Sequence, residues 1–133
     1  MNYLIDTHTF IWTISHLHKL SKPVHEIITN GENSIFVSVI SFWEVALKVS
    51  IKKFSFDGIV INKLPKYAQE MGFHVLDLQA QESCTFADLP IMDNHKDPFD
   101  RMIIWQAITG NMKLISKDGL FEQYKKYDLQ LIW

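Results

Sequence analysis

The stretch NYLIDTHTFIWTISHL, residues 2–17, joins a strand pattern to a helix pattern with no turn signal between them. Residues 2–6 form a short, mostly apolar run that ends in Asp6, and residues 7–17 have the spacing of an α-helix. Strand and helix patterns alternate in the same way along the rest of the chain, without the short turns that make β-hairpins. The sequence therefore predicts parallel strands joined by helices.

The full pattern contains five strands. The predicted strands are residues 2–6, 34–39, 73–78, 113–116 and 129–133. The predicted helices are residues 7–17, 22–30, 41–54, 57–71, 80–89, the segment that opens in KDPFDRMIIWQAITG (96–110), and 118–127. Pro65 is expected to kink or split the fourth of these helices. This alternation is typical of an α/β fold with a central parallel sheet and helices on both faces.

The composition indicates a globular protein of the cytosol. The 133 residues are 47% hydrophobic, which is enough for one packed domain spanning residues 1–133. Cys84 is the only cysteine, and the N-terminus lacks the pattern of a signal peptide, so we expect a cytoplasmic location. The net charge of −2 gives no general attraction for nucleic acid, so local cations would have to provide it.

Acidic residues flank the ends of the predicted strands. Asp6 ends the first strand, Glu44 comes soon after the second, and Asp118 follows the fourth. Asp97 and Asp100 open the helix that precedes the fourth strand. Right-handed crossovers place the carboxyl ends of parallel strands at one edge of a sheet, where α/β proteins bind ligands. We therefore expect all five acids near one edge.

Each of these acids also has a purely structural explanation. Asp6, Asp97 and Asp118 fit helix N-caps. Asp100 fits the acidic third residue of a capping box that starts at Asp97, and the pattern from Ser41 to Glu44 fits another capping box. Capping does not require every cap to be acidic, however, and crowded carboxylates raise one another's pKa unless a cation binds between them. Oxygen ligands without a cysteine or histidine set favour Mg²⁺ or Mn²⁺. The joint pattern predicts a metal site, and capping stays open for each acid alone.

Two sets of side chains each share one face of the helix predicted at 41–54. Glu44 and Lys48 are four residues apart, which fits either a helical ion pair or a catalytic carboxylate with a lysine for phosphate. Trp43 and Leu47 belong to a mostly apolar face that fits either additional core or a partner interface. The six histidines lack zinc-ligand spacing, so we expect them to have surface or core roles.

The chain resembles a PIN domain, and within that family it resembles the VapC-type toxins of bacterial toxin–antitoxin pairs. The resemblance covers essentially the whole chain and rests on four segments in order: YLIDTHTFIW, SFWEVALK, DPFDRMIIWQA and KLISKDGLF. It implies a three-layer α/β fold with a central five-stranded parallel sheet. It also implies an endoribonuclease that depends on Mg²⁺ or Mn²⁺, forms a homodimer and is inhibited by a small antitoxin protein.

The resemblance assigns roles to individual residues. The metal-binding and catalytic acids would be Asp6, Glu44, Asp100 and Asp118. Thr7 and Ser116 resemble hydroxyl residues that support these acids. Asp97 and Arg101 belong to the DPFDR variant and are expected at the rim of the site, where Asp97 either orients a water or only caps the helix.

The expected reaction is hydrolysis of RNA phosphodiester bonds by a metal-activated water held by the carboxylate cluster. Arg101 and Lys48 would contact the flanking phosphates. A haloacid-dehalogenase-like phosphatase is one alternative, although Asp6-Thr7-His8 lacks the second aspartate of its D-x-D motif. A non-catalytic PIN-fold module that binds a partner through apolar helix faces is the other alternative.

Overall fold

A computed structural model describes all 133 residues and has a five-stranded sheet at its centre. The strands are β1 (Asn2–Ile5), β2 (Ser34–Ser38), β3 (His74–Leu76), β4 (Lys113–Ile115) and β5 (Gln130–Ile132). They lie in the order β3-β2-β1-β4-β5, and every neighbouring pair is parallel. The predicted parallel five-stranded sheet is therefore confirmed.

Helices cover both faces of this sheet. The α-helices are α1 (Thr7–Ser15), α2 (Lys22–Thr29), α3 (Val39–Ser50), α4 (Leu64–Glu70), α5 (Ala80–Thr85) and α6 (Pro98–Thr109). Short 3₁₀ helices lie at Leu17–Lys19, Ile61–Lys63 and Phe86–Asp88, and a longer one lies at Gly119–Tyr127. None of the helices combines the length and the apolar composition needed to cross a membrane.

The two faces of the sheet build separate cores because successive strand residues point to opposite sides. Ile5 of β1 packs into a cluster with residues of α1, α2, α3 and α4. The preceding residue, Leu4, packs into the other cluster with Ile103 and Ile104 of α6 and Phe121 of the last 3₁₀ helix. The predicted three-layer arrangement is thus confirmed.

Helix α3 begins at Val39, two residues earlier than predicted. Ser38, the last residue of β2, is the N-cap, and its hydroxyl accepts a hydrogen bond of 3.0 Å from the backbone N–H of Ile40. The predicted capping box from Ser41 to Glu44 is therefore wrong, because Ser41 already lies within the first turn.

The segment after α3 also differs from the prediction. The helix ends at Ser50, and Lys52 has a φ of 62°, a left-handed conformation that does not continue a helix. The helix predicted at 57–71 is divided into the 3₁₀ helix Ile61–Lys63 and α4, which begins at Leu64. Pro65 lies in the first turn of α4, so the segment is split near Pro65 as one of the two expectations had it. The last helix is 3₁₀ over Gly119–Tyr127.

Candidate active site

The carboxyl ends of β1 and β4 meet through the side chains of Asp6 and Ser116. Asp6 caps α1 by accepting a hydrogen bond of 2.9 Å from the backbone N–H of Thr9. The Ser116 hydroxyl donates a bond of 2.5 Å to Asp6 Oδ2 and accepts one of 3.1 Å from the backbone N–H of Asp118. Asp6 and Ser116 are buried and Asp118 is exposed, so Ser116 links an interior acid to one at the surface.

Glu44 enters the same region from α3. It is only 2% exposed, and the Thr7 hydroxyl donates a hydrogen bond of 2.6 Å to its Oε1. The Thr7 hydroxyl also lies 2.9 Å from the hydroxyl of Ser41, which orients it from the other side. Lys48 forms an ion pair with Glu44 Oε2, which is one of the two alternatives that the spacing of four residues left open.

Helix α6 contributes two acids from its first turn. Asp97 is the N-cap, as predicted, and its Oδ1 accepts hydrogen bonds from the backbone N–H groups of Phe99 (2.9 Å) and Asp100 (3.1 Å). Ligand oxygens of Glu44, Asp97 and Asp100 all lie within 4.8 Å of one another. The structure therefore places Asp97 beside the other acids while it caps the helix.

The pKa of Asp100 is raised by its surroundings in the cluster. Burial is the main cause that raises this pKa to about 8, and the carboxylates of Asp97, Glu44, Asp6 and Asp118 add to the increase. Burial also raises the pKa of Asp6, against the hydrogen bonds that it accepts. All five predicted acids thus interact at one edge of the sheet.

His95 is part of this cluster, although the sequence interpretation did not include it. Its ring is 4% exposed, and Nε2 lies 3.2 Å from Asp100 Oδ2. Ligand atoms of His95, Asp100 and Asp118 lie within 4.8 Å of one another. The histidines were considered only for zinc spacing, and the available signal was that His95 lies five residues before Asp100 in HKDPFD.

The expectation that Arg101 lies at the rim is wrong. Its side chain is 8% exposed, and the guanidinium donates hydrogen bonds to the carbonyls of Leu89 (3.2 Å) and Pro90 (2.9 Å) and to the hydroxyl of Tyr124 (3.0 Å). Residue 101 is rotated by about 100° around α6 from residue 100, so it points into the protein. The guanidinium is therefore not available to RNA phosphates.

An open cleft of about 320 Å³ adjoins the acids. It is lined by Asp6, His8, Trp12, Lys117 and Asp118. The exposed Lys117 ammonium lies 5.9 Å from the centre of the Trp12 ring. The cleft thus combines carboxylates, a cation and an aromatic face, which are the groups that bind metal ions, phosphates and bases.

The donor set fits a hard divalent cation. Its members are carboxylate oxygens that follow two strands, β1 and β4, and that lie on two helices, α3 and the N-terminus of α6, with one imidazole nearby. Burial raises the pKa of Asp100 most, and repulsion from the neighbouring carboxylates raises it further. A divalent ion would remove that repulsion, so the residues present fit Mg²⁺ or Mn²⁺.

Comparison with known proteins agrees with this arrangement. The PIN domain model matches residues 3–127, so the chain belongs to the PIN domain family. None of the curated protein sequences matches it.

Solved structures with the same fold include toxin–antitoxin complexes. VapBC2 from Rickettsia felis, bound to a DNA fragment from its promoter, is 20% identical with a TM-score of 0.69, and the match covers 99% of this chain and 98% of that one. VapBC-1 from nontypeable Haemophilus influenzae is 19% identical with a TM-score of 0.66, covering 99% and 97%. DNA-bound VapBC from Salmonella typhimurium is 14% identical with a TM-score of 0.60, covering 99% and 97%. At these identities the likeness concerns the fold.

Proposed function

We propose that this chain is a metal-dependent endoribonuclease of the VapC type and the toxin of a toxin–antitoxin pair. Members of the PIN domain family are nucleases, and several solved structures of the same fold are VapBC complexes. The observation that carries the proposal is the convergence of four carboxylates on Asp100 at the carboxyl edge of the sheet. A nuclease site needs such a cluster to hold cations against a phosphodiester.

The proposed metal ligands are Asp6, Glu44, Asp100 and Asp118, which would hold one or two Mg²⁺ or Mn²⁺ ions. A divalent ion bound there would lower the pKa of an attacking water and offset the negative charge that develops on the phosphate. Thr7 and Ser116 keep the carboxylates of Glu44 and Asp6 in place through their hydroxyl groups.

The proposed RNA contacts lie beside the acids. Lys117 is exposed in the cleft and takes the role that the sequence analysis gave to Arg101. Lys48 is half-buried against Glu44, where its ammonium offsets one carboxylate. A phosphate bound at the cluster would lie near this ammonium. Trp12 offers a ring face to a base.

The proposed setting is that of a bacterial toxin. The whole of residues 1–133 would act as one PIN domain, in the cytoplasm, as a homodimer held in check by a small antitoxin protein. The relatives that are complexes with an antitoxin support this partner. The side chains of Trp43 and Leu47 on α3 are 60% and 38% exposed, and they offer an apolar surface for a protein partner.

The proposal is tested by RNA cleavage with Mn²⁺ and with EDTA, comparing the wild type with Asp100→Asn. We expect the wild type to cleave RNA only with metal, and the variant to lose at least about 100-fold of that activity while it stays folded. Asp57→Asn is the matched control, because Asp57 is an exposed acid in the loop after α3.

Full cleavage by folded Asp100→Asn would contradict the assignment of this residue. A wild-type protein that neither binds Mn²⁺ by calorimetry nor cleaves RNA would instead support a non-catalytic module of the same fold.

A further inference from the structure

A hydrogen-bond chain runs from Arg101 through Tyr124 and His95 to Asp100. Arg101 Nη1 lies 3.0 Å from the Tyr124 hydroxyl, which lies 2.9 Å from His95 Nδ1. His95 Nε2 lies 3.2 Å from Asp100 Oδ2. Tyr124, His95 and Arg101 are 0%, 4% and 8% exposed, so the chain is shielded from water until it reaches the site.

The chemistry of the first member determines the direction of every bond. A guanidinium has only N–H donors, so the Tyr124 hydroxyl oxygen must accept from Arg101. The proton of that hydroxyl then needs an acceptor, and His95 Nδ1 is the other group within hydrogen-bonding distance. Nδ1 therefore carries no proton.

The remaining proton of His95 lies on Nε2 and points at the acids. A ring whose Nδ1 accepts a hydrogen bond is the neutral imidazole, because both nitrogens of the imidazolium carry protons. With Nδ1 accepting from Tyr124, Nε2–H is the donor and Asp100 Oδ2 is the acceptor.

We propose that His95, Tyr124 and Arg101 are positioning residues that hold the carboxylate of Asp100 in one orientation for the metal. This inference rests on the proposed function of the same site. Arg101 is anchored by the carbonyls of Leu89 and Pro90, Tyr124 belongs to the last 3₁₀ helix, and His95 precedes α6. Three parts of the fold thus fix one carboxylate.

The charge of Arg101 gives a reason for this arrangement. The guanidinium is buried and forms no ion pair with a carboxylate. A buried cation strengthens the hydrogen bonds of the group to which it donates, and that effect passes along the chain toward the acids. Arg101 therefore acts on the cluster through Tyr124 and His95.

The first test is the tautomer of His95 in the metal-free wild type. Long-range proton–nitrogen NMR spectra distinguish a ring protonated on Nε2 from one protonated on Nδ1, and His95→Gln identifies its signals among the six histidines. We expect a neutral ring with the proton on Nε2. A proton on Nδ1, or on both nitrogens at pH 7, would overturn the inference.

The second test compares two amide substitutions by Mn²⁺ calorimetry. The amide of His95→Gln reaches the position of Nε2 and can still donate to Asp100, whereas the amide of His95→Asn reaches only the position of Nδ1. We expect His95→Gln to keep most of the Mn²⁺ affinity and His95→Asn to lose about 10- to 100-fold. Wild-type affinity in His95→Asn would overturn the proposal.

A third variant removes the middle of the chain. Tyr124→Phe keeps the ring and deletes the hydroxyl, and we expect about 10-fold weaker Mn²⁺ binding and a lower kcat for RNA with little change in KM. Tyr127→Phe is the control, because its hydroxyl lies on the same 3₁₀ helix and forms no hydrogen bond. Equal effects of the two substitutions would show that the chain does not position Asp100.

The tautomer and the Mn²⁺ affinity are measured without RNA. If the wild type binds Mn²⁺ and shows the expected tautomer but cleaves no RNA, the proposed function fails and the positioning role stands. If RNA is cleaved while His95→Asn binds Mn²⁺ like the wild type, the function stands and the positioning role fails.

Discussion

Asp100 is the residue at which burial and negative charge act together. Burial is the larger cause of its pKa of about 8, and four neighbouring carboxylates add to it. A carboxyl group that keeps its proton at neutral pH releases it when a cation binds, so metal affinity and protonation are coupled at this side chain. The same burial makes Asp100 unfavourable for the stability of the metal-free protein.

The first prediction at this scale is that Asp100→Asn stabilises the metal-free protein at pH 8 but not at about pH 4. The pKa of Asp100 is 3.8 when unfolded and about 8 when folded. Between these values the folded wild type holds a proton that the unfolded chain lacks, so its free energy of unfolding falls as pH rises. Asparagine does not titrate, so the free energy of unfolding of Asp100→Asn does not fall with pH for this reason.

Urea unfolding in EDTA across this pH range measures the difference. The gap between Asp100→Asn and the wild type should widen with pH, and excess Mn²⁺ should close it by stabilising only the wild type. Two curves that stay parallel from pH 4 to pH 8 would show that Asp100 ionises normally in the folded protein.

The acids of the site were predictable as residues, but the contact of His95 with Asp100 was not. Asp6 directly follows β1 and Asp118 comes three residues after the end of β4, and strand ends can be read from local pattern. The contact of His95 with Asp100 depends on how the loop before α6 folds back, which has no periodic signal. Arg101 did carry a signal, since it precedes the buried Ile104 by three residues and therefore shares its face of the helix.

At the scale of elements, the position of Glu44 shows why a wrong helix boundary did not spoil the predicted site. Both Ser38 and Ser41 are good N-caps, so the local sequence could not decide between them. The structure shows that α3 begins after Ser38, two residues before the predicted start at Ser41. The start of a helix changes its length but not the direction of its side chains, which the packing of Val45 in the core determines.

The N-terminus of α6 gives the next prediction, in which two substitutions of Asp97 separate capping from metal binding. Asp97→Ala removes the hydrogen bonds to the N–H groups of Phe99 and Asp100, and we expect it to lower the free energy of unfolding by about 0.5–2 kcal/mol. Asp97→Asn keeps a capping oxygen without the charge, and we expect it to retain most of the stability.

Mn²⁺ affinity and RNA cleavage of the same variants complete the comparison. Asp97→Asn should retain more of both than Asp100→Asn does, because the role proposed for Asp97 is to begin the helix. A loss of cleavage in folded Asp97→Asn as complete as in Asp100→Asn would instead make Asp97 a metal ligand.

At the scale of the whole molecule, the sheet brings together residues that are far apart in the sequence. Ser116 contacts Asp6 across 110 residues, and Thr7 contacts Glu44 across 37. Alternating strands and helices predicted that the strand ends share one edge, but not the order β3-β2-β1-β4-β5. In this order the chain reverses direction across the sheet at β1, and the acids lie at that reversal, where parallel sheets bind ligands.

The outer surface of α3 carries exposed apolar side chains, which bear on how the whole molecule meets a partner. Trp43 and Leu47 are exposed there. Trp43 also lines an open cleft of about 690 Å³, whose other lining residues include Phe42, Ala46 and Pro65. The sequence analysis left open whether this stripe is core or a partner interface. The exposure of Trp43 excludes the core, and aromatic side chains of this kind are frequent energetic centres of protein interfaces.

The last prediction is that Trp43→Ala weakens binding of the small antitoxin by at least about 30-fold, since buried tryptophans at interfaces contribute about 2 kcal/mol or more. Its stability should change little, because the side chain is 60% exposed in the free chain and its main aromatic contact is Phe99, at 5.0 Å between ring centres. Calorimetry with the proposed small antitoxin protein measures the affinity, and light scattering measures whether the proposed homodimer forms. Leu120→Ala is the control, because Leu120 is an apolar residue 40% exposed on the last 3₁₀ helix. Unchanged antitoxin affinity in Trp43→Ala, together with a dissociated homodimer, would assign this surface to the second copy of the chain.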